Sequence, residues 1–569
     1  MYILGLTTMG EAAASLLKDG ELVAAAEEER FSRIKHHIGF PCHAVAYCLR
    51  EAGITLAEVD HIGHYWKPWV LRRRVVHTLG TMFQHGDLFQ SRIARGSDQF
   101  SGYYLPMFVM PSTIRKEFGG SDFKFHYLDH HVCHAASAFF ASPFDSAAIF
   151  TVDGVGESTT VLYARGEGKR IKVLERIHLP HSLGQFYSAI TNFLGFDMLQ
   201  GDEYKVMGLA AFGEPEYAGF FQKSVVMPDG PGRFKLDISY IDHQMARNNL
   251  YTEKIQQVLG KSRLPQEEVL HRHENIAASA QKALEETALR LVRYLKEKTG
   301  ERNLCLAGGV ALNSVMNGRI VREAGFDNVF IQPAAHDGGC SLGAALYVYH
   351  NILKHPRKWV MEHAYWGPGF SSADCSAAME GKPVTARKLT DPEMTVTVAK
   401  LLSEGSLIAW FQGRMEWGPR ALGNRSFLAD PRTANMQEVI NRKIKLREPF
   451  RPFAPSMLEE DAAPIIGCSK PSPYMLLVFP VNHGWEKRIP AVVHVDGTAR
   501  PQTISRRVNP RYWSLVNEFK SLTGIPAVLN TSFNIQEPIV CTPEDALKTF
   551  INSGVDYLVL EDYLVQRNP

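Results

Sequence analysis

Asp129-His130-His131-Val132-Cys133-His134 runs directly into Ala135-Ala136-Ser137-Ala138-Phe139-Phe140. On a helix His130 and His134 share one face and can chelate one metal ion, while His131 points elsewhere. The plainer alternative is a His-rich helix start satisfied by caps and backbone carbonyls. The pair lacks the Glu of an HExxH motif, which argues against a zinc protease. Two carboxylates can complete a centre: Asp153, after the apolar strand Ile149 to Val152, and Asp337, in the loop Ala335-His336-Asp337-Gly338-Gly339. Strand-end loops are where α/β folds tend to place function. Two imidazoles and two carboxylates suit iron, manganese or zinc better than calcium or copper(I). For either Asp taken alone, a helix or turn cap is an equal alternative.

A second constellation is basic. From Arg414 to Arg451 the chain carries nine bases, Arg414, Arg420, Arg425, Arg432, Arg442, Lys443, Lys445, Arg447 and Arg451, against the acids Glu416, Asp430, Glu438 and Glu448. Gly413, Gly418, Pro419, Gly423, Pro449 and Pro452 are interleaved with them, as in a shaped anion site rather than a solvated helical face. Guanidinium forks fit phosphate bidentately, so this many point to a multiply charged ligand. His494, Arg500 and Asn530-Thr531-Ser532-Phe533-Asn534 add donors suited to phosphate or a nucleobase, with a surface loop as the alternative for the last segment. Gly308-Gly309, between strand and helix, and Lys205 within GDEYKVMG are weaker phosphate signals, and neither matches a Walker loop or GxGxxG.

These residues need elements to hold them. Tyr2 to Leu6, Ala13 to Leu17 and Glu21 to Ala26 read as strands around the turn Lys18-Asp19-Gly20. Ala147 to Val152 and Ser158 to Ala164 repeat the pattern, so a duplicated α/β unit with a cleft between its halves is expected. Trp66 to Phe125, aromatic-rich and irregular, reads as an insertion forming a lid with Arg72, Arg73 and Arg74 at its edge. Apolar residues at helical spacing from Ile276 to Leu295 end at Gly300, a C-cap, and a helix is expected from Val310 to Ala324. The pattern breaks between Asn351 and Gly369, which places a domain junction there.

The chain's 569 residues exceed one core and call for at least two domains. A net charge of +2 removes the global electrostatic case for nucleic acid or a membrane surface. The amino terminus has no basic leader and no long apolar run occurs, so a cytoplasmic protein is expected. The eight cysteines are scattered, form no CxxC pair, and read as reduced thiols.

Taken together, the motifs resemble the O-carbamoyltransferases that modify nodulation factors and antibiotics, the NodU, CmcH and TobZ type. AEEERFSRIKH (Ala26 to His36), DHHVCHAASAFF, VDGVGE, SLGQFYS (Ser182 to Ser188), KVMGLAAFGEP, LAGGVALNSVMNG, HDGGCSLGAA, WGPRALGNRS, REPFRPFAPSM, RPQT (Arg500 to Thr503) and LNTSFN occur in that order across nearly the whole chain. The resemblance implies an N-terminal actin-like ATPase (Kae1-like) duplicated α/β domain, residues 1–355, and a C-terminal YrdC-like α/β domain, residues 356–569. It further implies that the second domain forms carbamoyladenylate from ATP and carbamoyl phosphate. The first then transfers the carbamoyl group to a hydroxyl of a small-molecule acceptor and releases AMP. By motif match His130, His134, Asp153 and Asp337 hold Fe(2+) or another divalent metal, and Gly308, Gly309, Asn313 and Lys205 line a nucleotide site. Arg420, Arg425, Lys445, Arg447, Arg451, Arg500, Ser532 and Asn534 hold ATP, with Mg(2+), and carbamoyl phosphate. Lys445 and Arg451 are expected to be catalytic.

One departure matters. The family pattern has His-Asp in the first hairpin, with the imidazole as general base, and here the positions read Gly10-Glu11-Ala12-Ala13. Losing a positioned base typically costs ~100- to 10,000-fold in rate. Either Glu11 or a nearby imidazole, His36 or His37, takes the proton, or the acceptor is an amine, or the adenylate serves another reaction. Two other readings stand beside transfer to a metabolite: a tRNA-modifying protein of the threonylcarbamoyladenosine type, and a nucleotide-binding regulator that has lost transfer activity at Gly10. A homodimer is the statistical default.

Overall fold

The computed structural model describes residues 1–70, 105–120, 122–241 and 249–568. The chain forms two compact units: Met1–Glu28 with His36–Met361, and Glu29–Lys35 with Glu362–Pro569.

In the first unit β1 (Tyr2–Thr7), β2 (Ala13–Lys18) and β3 (Glu21–Glu27) make an antiparallel meander, and β4 (Val59–His64) and β5 (Lys124–Tyr127) extend it in parallel, giving the order β3-β2-β1-β4-β5. Three buried residues of β1, Ile3, Leu4 and Leu6, explain why this strand is central. The second sheet repeats the plan. β6 (Ser146–Val152), β7 (Thr159–Glu167) and β8 (Arg170–His178) form the meander, a small hairpin of β9 (Val226–Pro228) and β10 (Phe234–Leu236) intervenes, and β11 (Asn303–Ala307) and β12 (Asn328–Ile331) pair in parallel. The order β8-β7-β6-β11-β12 is that of the first sheet, so the expected duplicated α/β unit is present.

Between the sheets in sequence lies helix His130–Phe139, buried throughout, and helix Gly339–Leu346 packs on it and on β1. The long helix His271–Thr299 buries Ile276, Ala280, Leu284, Ala288, Leu291 and Leu295 on one face and ends at Gly300, whose φ is +66°. The helix expected from Val310 starts later: Gly309–Leu312 is a 3-10 turn and Asn313 caps helix Ser314–Glu323. The side chain of Asn313 accepts from Met316 N–H, and that cap fixes the start.

The expected lid, Trp66 to Phe125, is only partly visible. Arg72, Arg73 and Arg74 lie outside the described residues, and the end of the stretch is regular, since it holds helix Met110–Phe118 and β5.

The second unit is built on one mixed sheet. β13 (Val384–Lys388), β14 (Ile408–Phe411), β15 (Arg425–Ala429), β16 (Ala454–Leu458), β19 (Gln502–Ile504), β20 (Ala527–Ser532), β21 (Tyr557–Leu560) and β22 (Tyr563–Arg567) lie in the order β13-β22-β21-β14-β15-β20-β16-β19. A two-stranded ribbon, β17 (Phe479–Pro480) with β18 (Thr498–Ala499), stands apart from it. Helices Asp391–Ser403 and Pro510–Thr523 pack together, and Met394, Val398, Leu402, Leu515, Val516 and Phe519 join the core of β14, β15 and β20. The unit also takes in Glu29–Lys35, where Phe31 packs on Met415, Ile539 and Cys541 and Arg33 donates to the carbonyls of Pro538 and Ile539.

Candidate functional site

The first unit gathers four ligand-type side chains. Asp129 caps the helix start by accepting from Val132 N–H at 3.1 Å, and Arg176 pairs with the same carboxylate at 2.9 Å. Glu157 accepts from His130 N–H at 3.2 Å and from Lys67 N–H at 3.1 Å. Thus fixed, His130 and His134 turn their Nε2 atoms toward one another at 3.1 Å, fully buried. Asp153 follows β6, and its Oδ1 accepts from Gly309 N–H at 2.9 Å while Oδ2 lies 3.1 Å from His130 Nε2 and 3.8 Å from His134 Nε2. Asp337 Oδ1 is 3.6 Å from each imidazole, and Tyr65 donates to its Oδ2 at 3.4 Å.

One ligand atom from each of the four lies within 4.8 Å of the others. The donors fit a divalent cation on three counts. Bonds of about 2.1 Å in a tetrahedron give ligand–ligand edges near ~3.4 Å, which the 3.1–3.8 Å separations span. The nitrogens face each other and cannot both donate. Finally, the site favours positive charge: burial works against a charged His134, yet Asp153 and Asp337 overcome it and raise the imidazole to about 9. Burial likewise opposes an ionised Asp153, but His130 and His134 hold it well below the usual carboxylate range. His131 is spoken for elsewhere, with Thr151 Oγ1 at 2.6 Å and Thr159 O at 2.9 Å.

Beside this cluster, Gly10 has φ +70°, and a Cβ there would stand 2.7 Å from Asp337 Oδ2. A side chain at position 10 would therefore push on Asp337, and this chain has no imidazole there. Glu11 Oε1 instead lies 3.2 Å from His36 Nδ1, and His36 Nε2 donates to Gln200 O at 3.0 Å. Glu11 Oε2 is 3.5 Å from His336, whose other nitrogen is 3.4 Å from Glu27. Burial opposes ionisation of Glu11, but His336 and His36 outweigh it and keep its carboxyl below the usual value.

Gly309 N–H anchors Asp153, and Asn313 is engaged by its cap and by Gln281, with contacts of 3.0 and 2.9 Å. Lys205 pairs with Asp202 at 2.9 Å.

In the second unit the structure sorts the basic run. Arg432 pairs with Asp430 and Arg442 with Glu438, and Arg414 donates to the carbonyls of Trp366 and Gly367. Arg425, expected among the anion ligands, is placed otherwise. Fully buried 3.5 Å over the Phe411 ring, it donates to the carbonyls of Gln412, Gly413, Asn424 and Pro368, so it braces the loop.

The others converge. Lys445, 1 % exposed, donates to both oxygens of Ser532 and to both oxygens of Asn534, contacts of 2.8 to 3.1 Å apart from the shorter one to Ser532 O. Burial, then Arg447 and Arg451, depress its pKa well below the usual lysine value. Arg500 is the clearest case: withdrawal from water and then Arg420, Arg447 and Arg451 all push its pKa down, and it has no carboxylate partner among the described residues. Lys35, from the segment that joins this unit, bears on Lys445 in the same sense. Its motif was legible in sequence, but its membership of this cluster was not. Glu157 closes the VDGVGE motif, but nothing in that motif pointed to its bond with His130 N–H, and Tyr65 had no local signal.

Residues 2–346 match the family model "Carbamoyltransferase N-terminus" and residues 399–567 match "Carbamoyltransferase C-terminus". An uncharacterised protein of Synechocystis is 41% identical over 100% of this chain and 97% of its own length. Nodulation protein NolNO of Sinorhizobium fredii is 36% identical over 99% of this chain and 79% of its own, and nodulation protein U of Rhizobium tropici 29% identical over 94% and 91%.

Proposed function

The chain belongs to the carbamoyltransferase family and is a carbamoyltransferase, and on that premise we propose that it activates carbamoyl phosphate with ATP as carbamoyladenylate and passes the carbamoyl group to a hydroxyl of a small specialised metabolite. The observation that carries the first half is the crowd of cations around Arg500: Arg420, Arg447, Arg451 and, through the last two, Lys445, with no carboxylate for Arg500 among the described residues. Like charges so gathered call for a polyanion.

Water releases inorganic phosphate and carbamate from carbamoyl phosphate. A carbamate oxygen then attacks the α-phosphorus of ATP, the bond to pyrophosphate breaks, and pyrophosphate leaves with the electron pair. The guanidinium groups clamp the oxygens on which charge spreads, and Lys445, held by Ser532 and Asn534, adds a positioned amine donor.

In the first unit the acceptor hydroxyl attacks the carbamoyl carbon, the bond to AMP breaks, and the hydroxyl proton leaves. We place that proton on the Glu11–His36 pair, since both ring nitrogens of His36 face oxygens and a proton is shared toward Glu11. A divalent metal held by His130, His134, Asp153 and Asp337, iron by family resemblance, would supply Lewis-acid polarisation of the carbamoyl carbonyl. Gly309 and Glu157 act through these ligands by orienting them.

The test is incubation with ATP, carbamoyl phosphate and a panel of hydroxyl and amine acceptors. Pyrophosphate, AMP and a product heavier by one carbamoyl group are expected. Adenylate formation untouched in Lys445→Ala and Arg451→Ala would overturn the assignment of the activating site.

A further inference from the structure

Lysine and arginine side chains only donate hydrogen bonds. Around Arg500 they offer carbamoyl phosphate ample donors for its phosphate and carbonyl oxygens, but the NH2 group needs an acceptor. His494, on the turn that leads into Arg500, carries the one ring nitrogen on this turn able to accept.

It sits on a tight turn in which His494 N–H donates to Thr498 O at 2.7 Å and Gly497 N–H to His494 O at 2.9 Å. β18 then runs straight into Arg500. The side chains on this turn fix the imidazole tautomer. Thr498 Oγ1 donates to Asp496 Oδ1 at 2.7 Å, and Thr498 N–H donates to the same carboxylate oxygen at 3.0 Å. With its proton so committed, the threonine oxygen is left to accept, and it lies 3.0 Å from His494 Nδ1. The ring proton of His494 therefore sits on Nδ1, and Nε2 presents a lone pair. No protein group is hydrogen-bonded to Nε2 among the described residues. Burial lowers His494 to about 4, with Arg500 pushing the same way and Asp496 opposing, so the ring is neutral at physiological pH.

We infer that His494, held in this tautomer by Thr498 and Asp496, is the specificity-determining acceptor for the amino group of carbamoyl phosphate, and that it separates this substrate from acyl phosphates bearing a methyl group in its place. The inference rests on the carbamoyl phosphate reading above. His494 is half-buried, and a bound substrate that covers its Nε2 with a methyl group instead of an amino group leaves that acceptor unpaired. Sites built to hydrogen-bond a substrate N–H or O–H reject the analogue lacking it far more strongly than a hydrophobic pocket rejects a misfit.

The experiment measures pyrophosphate release from ATP by the full chain with carbamoyl phosphate or acetyl phosphate. The wild type should prefer carbamoyl phosphate by at least ~100-fold in kcat/KM. In His494→Leu the preference should fall ~10-fold or more, mainly through loss with carbamoyl phosphate, while His494→Gln, whose amide oxygen accepts, should recover part of it. Thr498→Val leaves the imidazole in place but unlocks its tautomer, so it should also erode the preference, and it stands in if His494→Leu does not fold. A merely structural role predicts equal losses with both substrates; that result, or an unchanged ratio in both variants, overturns the inference. No pyrophosphate release by the wild type with carbamoyl phosphate would instead overturn the carbamoyl phosphate reading itself, and the inference with it.

Discussion

At the scale of single residues, the two clusters differ in what they lack. The first is two imidazoles and two carboxylates around one point, and a cation completes it. Protein purified without chelator should hold a divalent metal in one-to-one amount, and His130→Ala/His134→Ala should lose it, as read by elemental analysis. Retention of metal by that variant would remove the four residues as its ligands. In the second cluster Arg451 pairs with Glu448 at 3.7 Å, but Arg500 has no carboxylate partner among the described residues. Removing one of its cations should therefore help the fold and harm the chemistry. Arg500→Leu is expected to stabilise the protein by about 1–2 kcal/mol, through relief of desolvation and of repulsion from Arg420, Arg447 and Arg451, while adenylate formation falls ~100-fold or more. Thermal melting together with pyrophosphate release checks both halves. A destabilised variant with full activity would mean that Arg500 braces the fold, as Arg425 does.

At the scale of elements, the ligands stand on duplicated parts. Asp153 follows β6, the central strand of the second sheet, and the glycine turn after β11, its parallel neighbour, returns to hold it. Gly308 makes that return possible: its φ is +98°, and a Cβ there would stand 2.2 Å from Val152 O. Gly308→Ala is expected to cost at least ~2–3 kcal/mol and to misplace the Gly309 N–H that orients Asp153, so urea midpoint and metal content should drop together. Stability lost with metal content intact would uncouple the turn from the centre. The turn also explains a misplaced boundary. Periodicity suggested a helix from Val310, yet the backbone turns through a 3-10 segment and starts its helix at Ser314, because Asn313 is the residue able to cap it.

At the scale of the whole molecule, protonation bears on the fold through histidines kept neutral inside it. Burial lowers His64 and His350 to about 4, with Trp66 O and His355 O opposing. An unfolded histidine titrates near ~6.5, so between that pH and 4 the unfolded chain binds protons that the folded one refuses. Stability from these groups is complete above ~6.5, declines as pH falls toward 4, and then levels off, at up to ~1.4 kcal/mol per pH unit for each histidine. Urea midpoints should fall from pH 7 to pH 5, and His350→Phe, which keeps a ring beside Phe140, should flatten the decline; an unchanged slope would locate the titration elsewhere. Among the described residues no helix is long and apolar enough to cross a membrane.

Much of this protein follows from local pattern. The two meanders, the His130–His134 spacing, the strand ending at Asp153 and the basic density from Arg414 to Arg451 are legible because alternation, helical periodicity and residue type act between near neighbours. Only the tertiary structure decided which residues share a site. It brought Asp337 to two histidines some two hundred positions earlier, joined Lys35 to Lys445, turned Arg425 onto carbonyls and left Arg500 facing other cations. The physical reason is that a guanidinium looks the same in sequence whether its partner is a backbone oxygen or a substrate phosphate. The difference lies in burial and in the charges that distant segments bring beside it, which no window of neighbouring residues contains.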